Sequence, residues 1–99
     1  MEVKTTIDGI RAILEIEGKL TVQTSPDLEA AIGQISSKVC DFDIHLSDVT
    51  YISSAGLRVL VAADKLASSR GGVMRLLGPT KEVMEVFEMT GLAEVFTIE

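Results

Sequence analysis

The sequence predicts an α/β fold: a mixed, mostly parallel sheet with helices packed on it and an antiparallel hairpin at its start. Three observations carry that expectation. Segments of strand period and helix period follow in the order strand, strand, helix, strand, helix, strand, helix, strand. Asp8-Gly9 separates the first two strand segments, and that dipeptide favours tight hairpin turns because both residues tolerate left-handed backbone. Finally, 99 residues, 46% of them apolar, suffice to bury one core and not two, so one domain over 1–99 is expected.

Val3 to Ile7 and Ala12 to Ile16 are the hairpin strands. Ile10, Ala12, Leu14 and Ile16 alternate with Arg11, Ile13, Glu15 and Glu17, a period of two that buries one face. Gly18-Lys19-Leu20 then turns the chain into Thr21-Val22. Thr24 or Ser25 can cap the first helix, with Pro26 at its first position and Asp27 and Glu29 in its positively polarised first turn. Leu28, Ala31, Ile32 and Ile35 recur at helical spacing until Ser36-Ser37-Lys38. Phe42, Ile44 and Leu46 mark the third strand, and Ser47 to Ser54 is expected to be a loop.

A second helix over Ala55 to Ser68 ends at Arg70-Gly71-Gly72. Val73 to Leu77 is a short strand. Thr80 caps a third helix, Lys81 to Met89, with Val83, Met84, Val86 and Phe87 inward; Thr90-Gly91 stops it. Val95 to Ile98 is the last strand. Strands separated by single helices should be parallel, joined by right-handed crossovers.

Composition narrows the function. Acidic residues outnumber basic ones by 15 to 9, a net charge of −6, and the basic residues are scattered. Direct binding of nucleic acid is therefore not expected, nor attraction to anionic membranes. The start of the chain has no basic segment leading into an apolar one, and the longest apolar run, Val59 to Ala63, falls far short of the ~20 residues that span a bilayer. A soluble, cytoplasmic protein without membrane insertion is expected. The lone Cys40 sits beside Asp41 and Asp43, whose charges disfavour a thiolate, so it is read as a packing or surface residue.

Signs of catalysis, metal and cofactor are absent. Gly71-Gly72 precedes a strand, whereas a phosphate cradle opens a helix. His45 has no Cys or His partner at ligand spacing. Ser54, His45 and Asp48 make a triad on paper only, and a locally satisfied strand histidine is the simpler account. Glu82, Glu85 and Glu88 step along one face of a helix, a solvated face.

One segment stands apart. In Asp48 to Leu60 a strand gives way to two serines, and a helix opens at once on Ala55-Gly56-Leu57. Ser53 or Ser54 can cap that helix, but one cap needs one serine. Ala55 and Gly56 leave the backbone open to approach. A helix N-terminus at the carboxyl edge of a parallel sheet also favours anions.

The run Leu46 to Leu57 resembles the signature of STAS domains, the anti-sigma factor antagonist family. Gly18-Lys19-Leu20 resembles that family's turn before the first helix, and Met89-Thr90-Gly91-Leu92 its closing motif. The similarity extends over essentially the whole chain. It implies a single STAS domain over 1–99 that controls transcription by partner switching: the protein binds an anti-sigma factor that is also a serine kinase, and so frees a sigma factor. The kinase phosphorylates the antagonist, which ends binding, and a serine phosphatase resets it. By position the acceptor is Ser54, with Ser53 the second choice, because Ser53 stands where many members carry Asp. The expected partner-binding residues are Ser53, Ser54, Ala55 and Gly56 of this turn, with Arg58 and the Lys19–Ser25 loop added because they should lie at the same sheet edge, and no catalytic residue, metal or cofactor is expected. The competing expectation is a constitutive STAS scaffold, or a subunit of a transporter or sensor complex, in which Ser54 is only a cap. A small hydrolase using Ser54 lacks a positioned base.

Overall fold

Ile7 and Ala12 face one another across the first hairpin of the computed structural model, which describes residues 1–99. Strands β1 (Glu2–Asp8) and β2 (Arg11–Leu20) pair antiparallel, closed by Asp8 opposite Arg11. The turn residues are therefore Gly9 and Ile10, one position later than the Asp8-Gly9 dipeptide suggests. Gly9 takes the left-handed backbone, at φ +62°. The chain continues through α1 (Ser25–Gly33), β3 (Asp41–Ile52), α2 (Ser54–Ser69), β4 (Met74–Leu77) and α3 (Lys81–Thr90). A 3-10 turn, Leu92–Glu94, and β5 (Thr97–Ile98) complete it.

The five strands lie side by side in chain order, and every pairing after the first is parallel. This is the mixed, mostly parallel sheet that the alternation of elements predicts. One sheet face is buried: Ala12, Leu14 and Ile16 on β2, Phe42, Ile44 and Leu46 on β3, Met74 and Leu76 on β4. Leu28 and Ile32 of α1, Leu60 and Ala63 of α2, and Val83 and Phe87 of α3 join them in one core. Phe87 meets Phe96 edge to face, ring centroids 5.3 Å apart. The opposite sheet face carries Arg11, Glu15, His45 and Arg75 and no helix. Within α3, Val83 and Phe87 are fully inward, while Met84 and Val86 are only half-buried.

Three expectations need correction. Ser47 to Ile52 is not a loop but the second half of β3. The pairing with β2 slips twice, Glu15 to Glu17 against His45 to Asp48 and Gly18 to Lys19 against Val49 to Tyr51, each slip adding one residue on β3. Such bulges spread the inward residues Leu46, Val49 and Ile52 to intervals of three, so the alternation that marks a strand disappears. Gly18-Lys19-Leu20 is not a turn either. It ends β2, with Gly18 at φ +112° inside the second irregularity, and the chain turns only after Leu20. The last strand is shorter than expected, because Val95 and Phe96 leave the 3-10 turn before pairing begins.

The start of α1 also differs from the simple cap. Thr24 holds the N-cap position, but its hydroxyl donates to the Lys19 carbonyl at 2.6 Å and accepts from the Thr21 amide at 2.8 Å. Ser25, buried, donates to the Thr21 carbonyl. The Lys19–Ser25 loop is thus tied to itself, and Pro26 is the second helical residue.

Candidate functional site

The two bulges carry the end of β3 to the point where α2 starts. There the Ser53 amide donates to the Leu20 carbonyl at 2.8 Å, fixing the helix entrance against the end of β2. Ser53 has extended backbone (φ −91°, ψ 171°), as an N-cap requires, and its hydroxyl accepts from the Gly56 amide at 3.2 Å. Ser53 is therefore the cap. Ser54, the first residue of the helix, is exposed, and its hydroxyl takes part in no side-chain hydrogen bond within the chain.

Gly56 brings the helix down onto the sheet. A Cβ there would stand 2.9 Å from Ile52 Cγ1, closer than such atoms approach, and in a tight 3.1 Å contact with Leu20 Cβ. Gly56 is buried. Its surroundings differ from the open backbone expected: its missing side chain serves to seat α2 against Leu20 and Ile52. Ala55 is half-buried, and Arg58, one helical turn beyond Ser54, is exposed with no ion pair.

The electrostatics favour an anion at this edge. The N-terminus of a 16-residue helix offers unpaired amides and the positive end of its dipole, and its first turn holds no acidic residue to use them. The pKa shifts lie elsewhere: burial raises the Asp64 carboxyl, and the hydrogen bonds and charge of Asp43 raise the Arg75 guanidinium.

The Lys19–Ser25 loop converges on the same edge, as expected. Val22, Ser25 and Pro26 line one side of a groove of about 540 Å³ whose other side is Ala55, Arg58, Val59, Ala62 and Lys65 of α2. Val22 is 65% exposed although apolar. Sequence reasoning placed the Lys19–Ser25 loop here without singling out Val22, and it missed Ala62 and Lys65. A lone valine among the polar residues Thr21, Gln23 and Thr24 is the signal that could have found the first; nothing local marks the other two.

The paper triad does not assemble. His45 lies on the helix-free sheet face beside Leu77, separated from Ser54 by the rest of β3, roughly 20 Å of extended chain. Asp48 is exposed on that strand. Cys40 is half-buried, its sulfur 3.7 Å from the Lys38 carbonyl oxygen. Glu82, Glu85 and Glu88 are exposed along α3. No helix is long and apolar enough to cross a membrane.

A family model described as STAS domain matches residues 2–99. The anti-sigma-B factor antagonist of Bacillus subtilis is 29% identical over 85 residues, 86% of this chain and 78% of the relative. Among solved structures, a candidate anti-sigma factor antagonist from Thermotoga maritima superposes with a TM-score of 0.88 at 26% identity, covering 97% of this chain and 84% of that one. The Bacillus anti-sigma factor antagonist SpoIIAA superposes with a TM-score of 0.77 both unphosphorylated, at 17% identity, and phosphorylated, at 15%. Each covers 99% of this chain, and 88% and 91% of SpoIIAA respectively, a likeness of fold.

Proposed function

The chain belongs to the STAS domain family, and from that premise we propose that it is an anti-sigma factor antagonist switched by phosphorylation of Ser54. The observation that carries the choice of residue is the division of labour between the two serines. Ser53 is engaged as a helix cap, and Ser54 presents a free hydroxyl beside it at an exposed helix N-terminus. The relative from Bacillus subtilis bears the name of an antagonist, and the fold is found in SpoIIAA with and without its phosphate.

In this reading the partner is an anti-sigma factor that is also a serine kinase, and a serine phosphatase restores binding. The protein itself acts in the cytoplasm as a binding module without catalysis, metal or cofactor. The contact surface is Ser53, Ser54, Ala55 and Arg58 with the Lys19–Ser25 loop, and Gly56 holds it in place.

The test is incubation with ATP and the cognate kinase, followed by intact-mass measurement and phosphopeptide mapping. One phosphate on Ser54, with loss of binding to the anti-sigma factor, is the expected result. Label on Ser53 alone would move the site. No label on either serine would favour the constitutive scaffold.

A further inference from the structure

Beyond the switch at Ser54, a groove runs along the seam between α1 and α2. The 540 Å³ groove beside the serines shares Glu29, Val59 and Ala62 with a second cavity of about 200 Å³ that continues to Gly33 and Leu66. Along α2 the two extend from Ala55 to Leu66, ~16 Å at 1.5 Å per residue. We infer that this groove docks a helix of the partner whose apolar face is flanked by two carboxylates two turns apart. The inference rests on the partner-switching reading and names the chemistry of the partner's contact.

Three independent features of the groove select that occupant. Its wall on α2 is low: Ala55 and Ala62 stand seven residues apart with Val59 between them, so a third helix can approach the α1/α2 seam closely. Val22, held outward by the hydrogen-bonded loop beneath it, supplies an apolar contact at the mouth, and a valine left 65% exposed there gains from being covered.

Charge supplies the third feature. Arg58 and Lys65 are exposed, form no ion pair and also stand seven residues apart, ~10 Å along the axis. Glu29 is the one acid lining the same groove, so the groove is locally cationic in a chain of net charge −6. Carboxylates seven residues apart on a second helix repeat the same ~10 Å spacing, whereas those on an extended strand reach it after only three residues. Strand residues three apart point to opposite faces, so the spacing fits a helix, and the sign of the rim an acidic one.

Two lactam-bridged helical peptides of about 14 residues, long enough to cover the ~16 Å, provide the probes. Both carry leucines on one face; one has glutamates two turns apart on its flank and the other lysines. Titrated into the full chain and followed by backbone amide NMR, the glutamate peptide should shift Val22, Ala55, Ala62 and Lys65 and bind at least tenfold tighter than the lysine peptide. In an Arg58→Glu, Lys65→Glu double variant the preference should reverse. Equal binding of both peptides, shifts confined to other surfaces, or no reversal overturns the proposal.

With the anti-sigma factor itself, Lys65→Glu should weaken binding at least tenfold, while Lys4→Glu, on β1 opposite Glu15 of the helix-free sheet face, should leave it unchanged. Equal effects of the two variants also overturn it. Failure of the switch would register differently, as a Ser54 that takes no phosphate, which none of these titrations reads.

Discussion

The Ser53 hydroxyl accepts the Gly56 amide at 3.2 Å, and that bond separates two adjacent serines into a structural residue and an available one. Ser53→Ala should therefore cost about 1 kcal/mol in urea denaturation, the usual loss of a helix cap, and still be phosphorylated on Ser54. Ser54→Ala should unfold at the same urea concentration as the parent, bind the anti-sigma factor and take no label. Ser54→Asp should fold and fail to bind. A Ser53→Ala protein that is stable but unlabelled would exchange the two roles.

Gly56 tests the seating of α2. Its substitution by alanine puts a Cβ against Ile52 Cγ1 and Leu20 Cβ, atoms near the backbone that cannot swing aside as a side-chain tip can. Overpacking of this kind costs about 1–3 kcal/mol. Gly33 is the matched control. An added Cβ there meets nothing within 4 Å, and Gly33 ends α1, so Gly33→Ala should stabilise by about 0.5–1 kcal/mol. Denaturation of both variants checks the pair, and a neutral Gly56→Ala would mean that α2 lifts off the sheet at little cost.

The order of elements and the parallel crossovers were legible because Leu14 and Ile16, Phe42 and Ile44, and Val83 and Phe87 repeat at the period of their own elements. The second half of β3 was not. Its two bulges replace the spacing of two with the intervals Leu46, Val49, Ile52, a pattern set by pairing with β2 and invisible in β3 alone. The serine turn could be read from Ser53-Ser54-Ala55-Gly56, but the role of Gly56 could not, since it depends on where Leu20 lies. Lys65 and Val22 belong to the groove only through the packing of α1 on α2.

The helix-free sheet face holds one buried acid. Asp43, 5% exposed, receives Arg75 in a two-pronged contact, Nε at 2.9 Å and Nη2 at 2.8 Å, and Arg11 approaches at 3.5 Å. These groups tie β2, β3 and β4 together far from Ser54. Asp43→Ala should cost about 1–2 kcal/mol, the lower part of the range for hydrogen bonds to charged groups because both arginines remain partly solvated. Affinity for the anti-sigma factor should not change. A variant that loses binding while keeping its stability would place a contact on this face.

Asp64 gives a pH signature. Burial on α2 raises its carboxyl above the ordinary value of 3.8, so the folded protein resists ionising it. A raised folded pKa means that the unfolded chain releases the proton first. The folded state is favoured below 3.8 and loses that advantage as pH rises through the folded value. Asp64→Asn, which cannot ionise, should melt higher than the parent at pH 7, with the difference closing below pH 4. An unchanged or lower melting temperature at pH 7 would show that the carboxylate has a favourable partner in solution.

Arg58 should be the link between a phosphate on Ser54 and its effect. A phosphoserine at position 54 adds about −1.5 to −2 charge at neutral pH, at the positive end of α2 and one helical turn from an unpaired guanidinium. Both favour the dianion, so the second pKa of the phosphate should lie below its ordinary value of about 6, and ³¹P NMR titration of the phosphorylated protein reads it directly. Arg58→Ala should move that pKa back up without changing the fold, since Arg58 is exposed and supports no other residue. In the unphosphorylated protein the same substitution should weaken the anti-sigma factor complex, because it removes a rim cation from the groove. On the proposed reading, phosphorylation should act on two terms at once: it would set a dianion on a surface the partner approaches, and it would engage the arginine that the partner uses. Together ~3 kcal/mol of repulsion, desolvation and lost contact suffices for a more than hundredfold fall in affinity. If the phosphate pKa is the same with and without Arg58 while Arg58→Ala still weakens binding, the arginine serves the partner alone and the dianion acts without it.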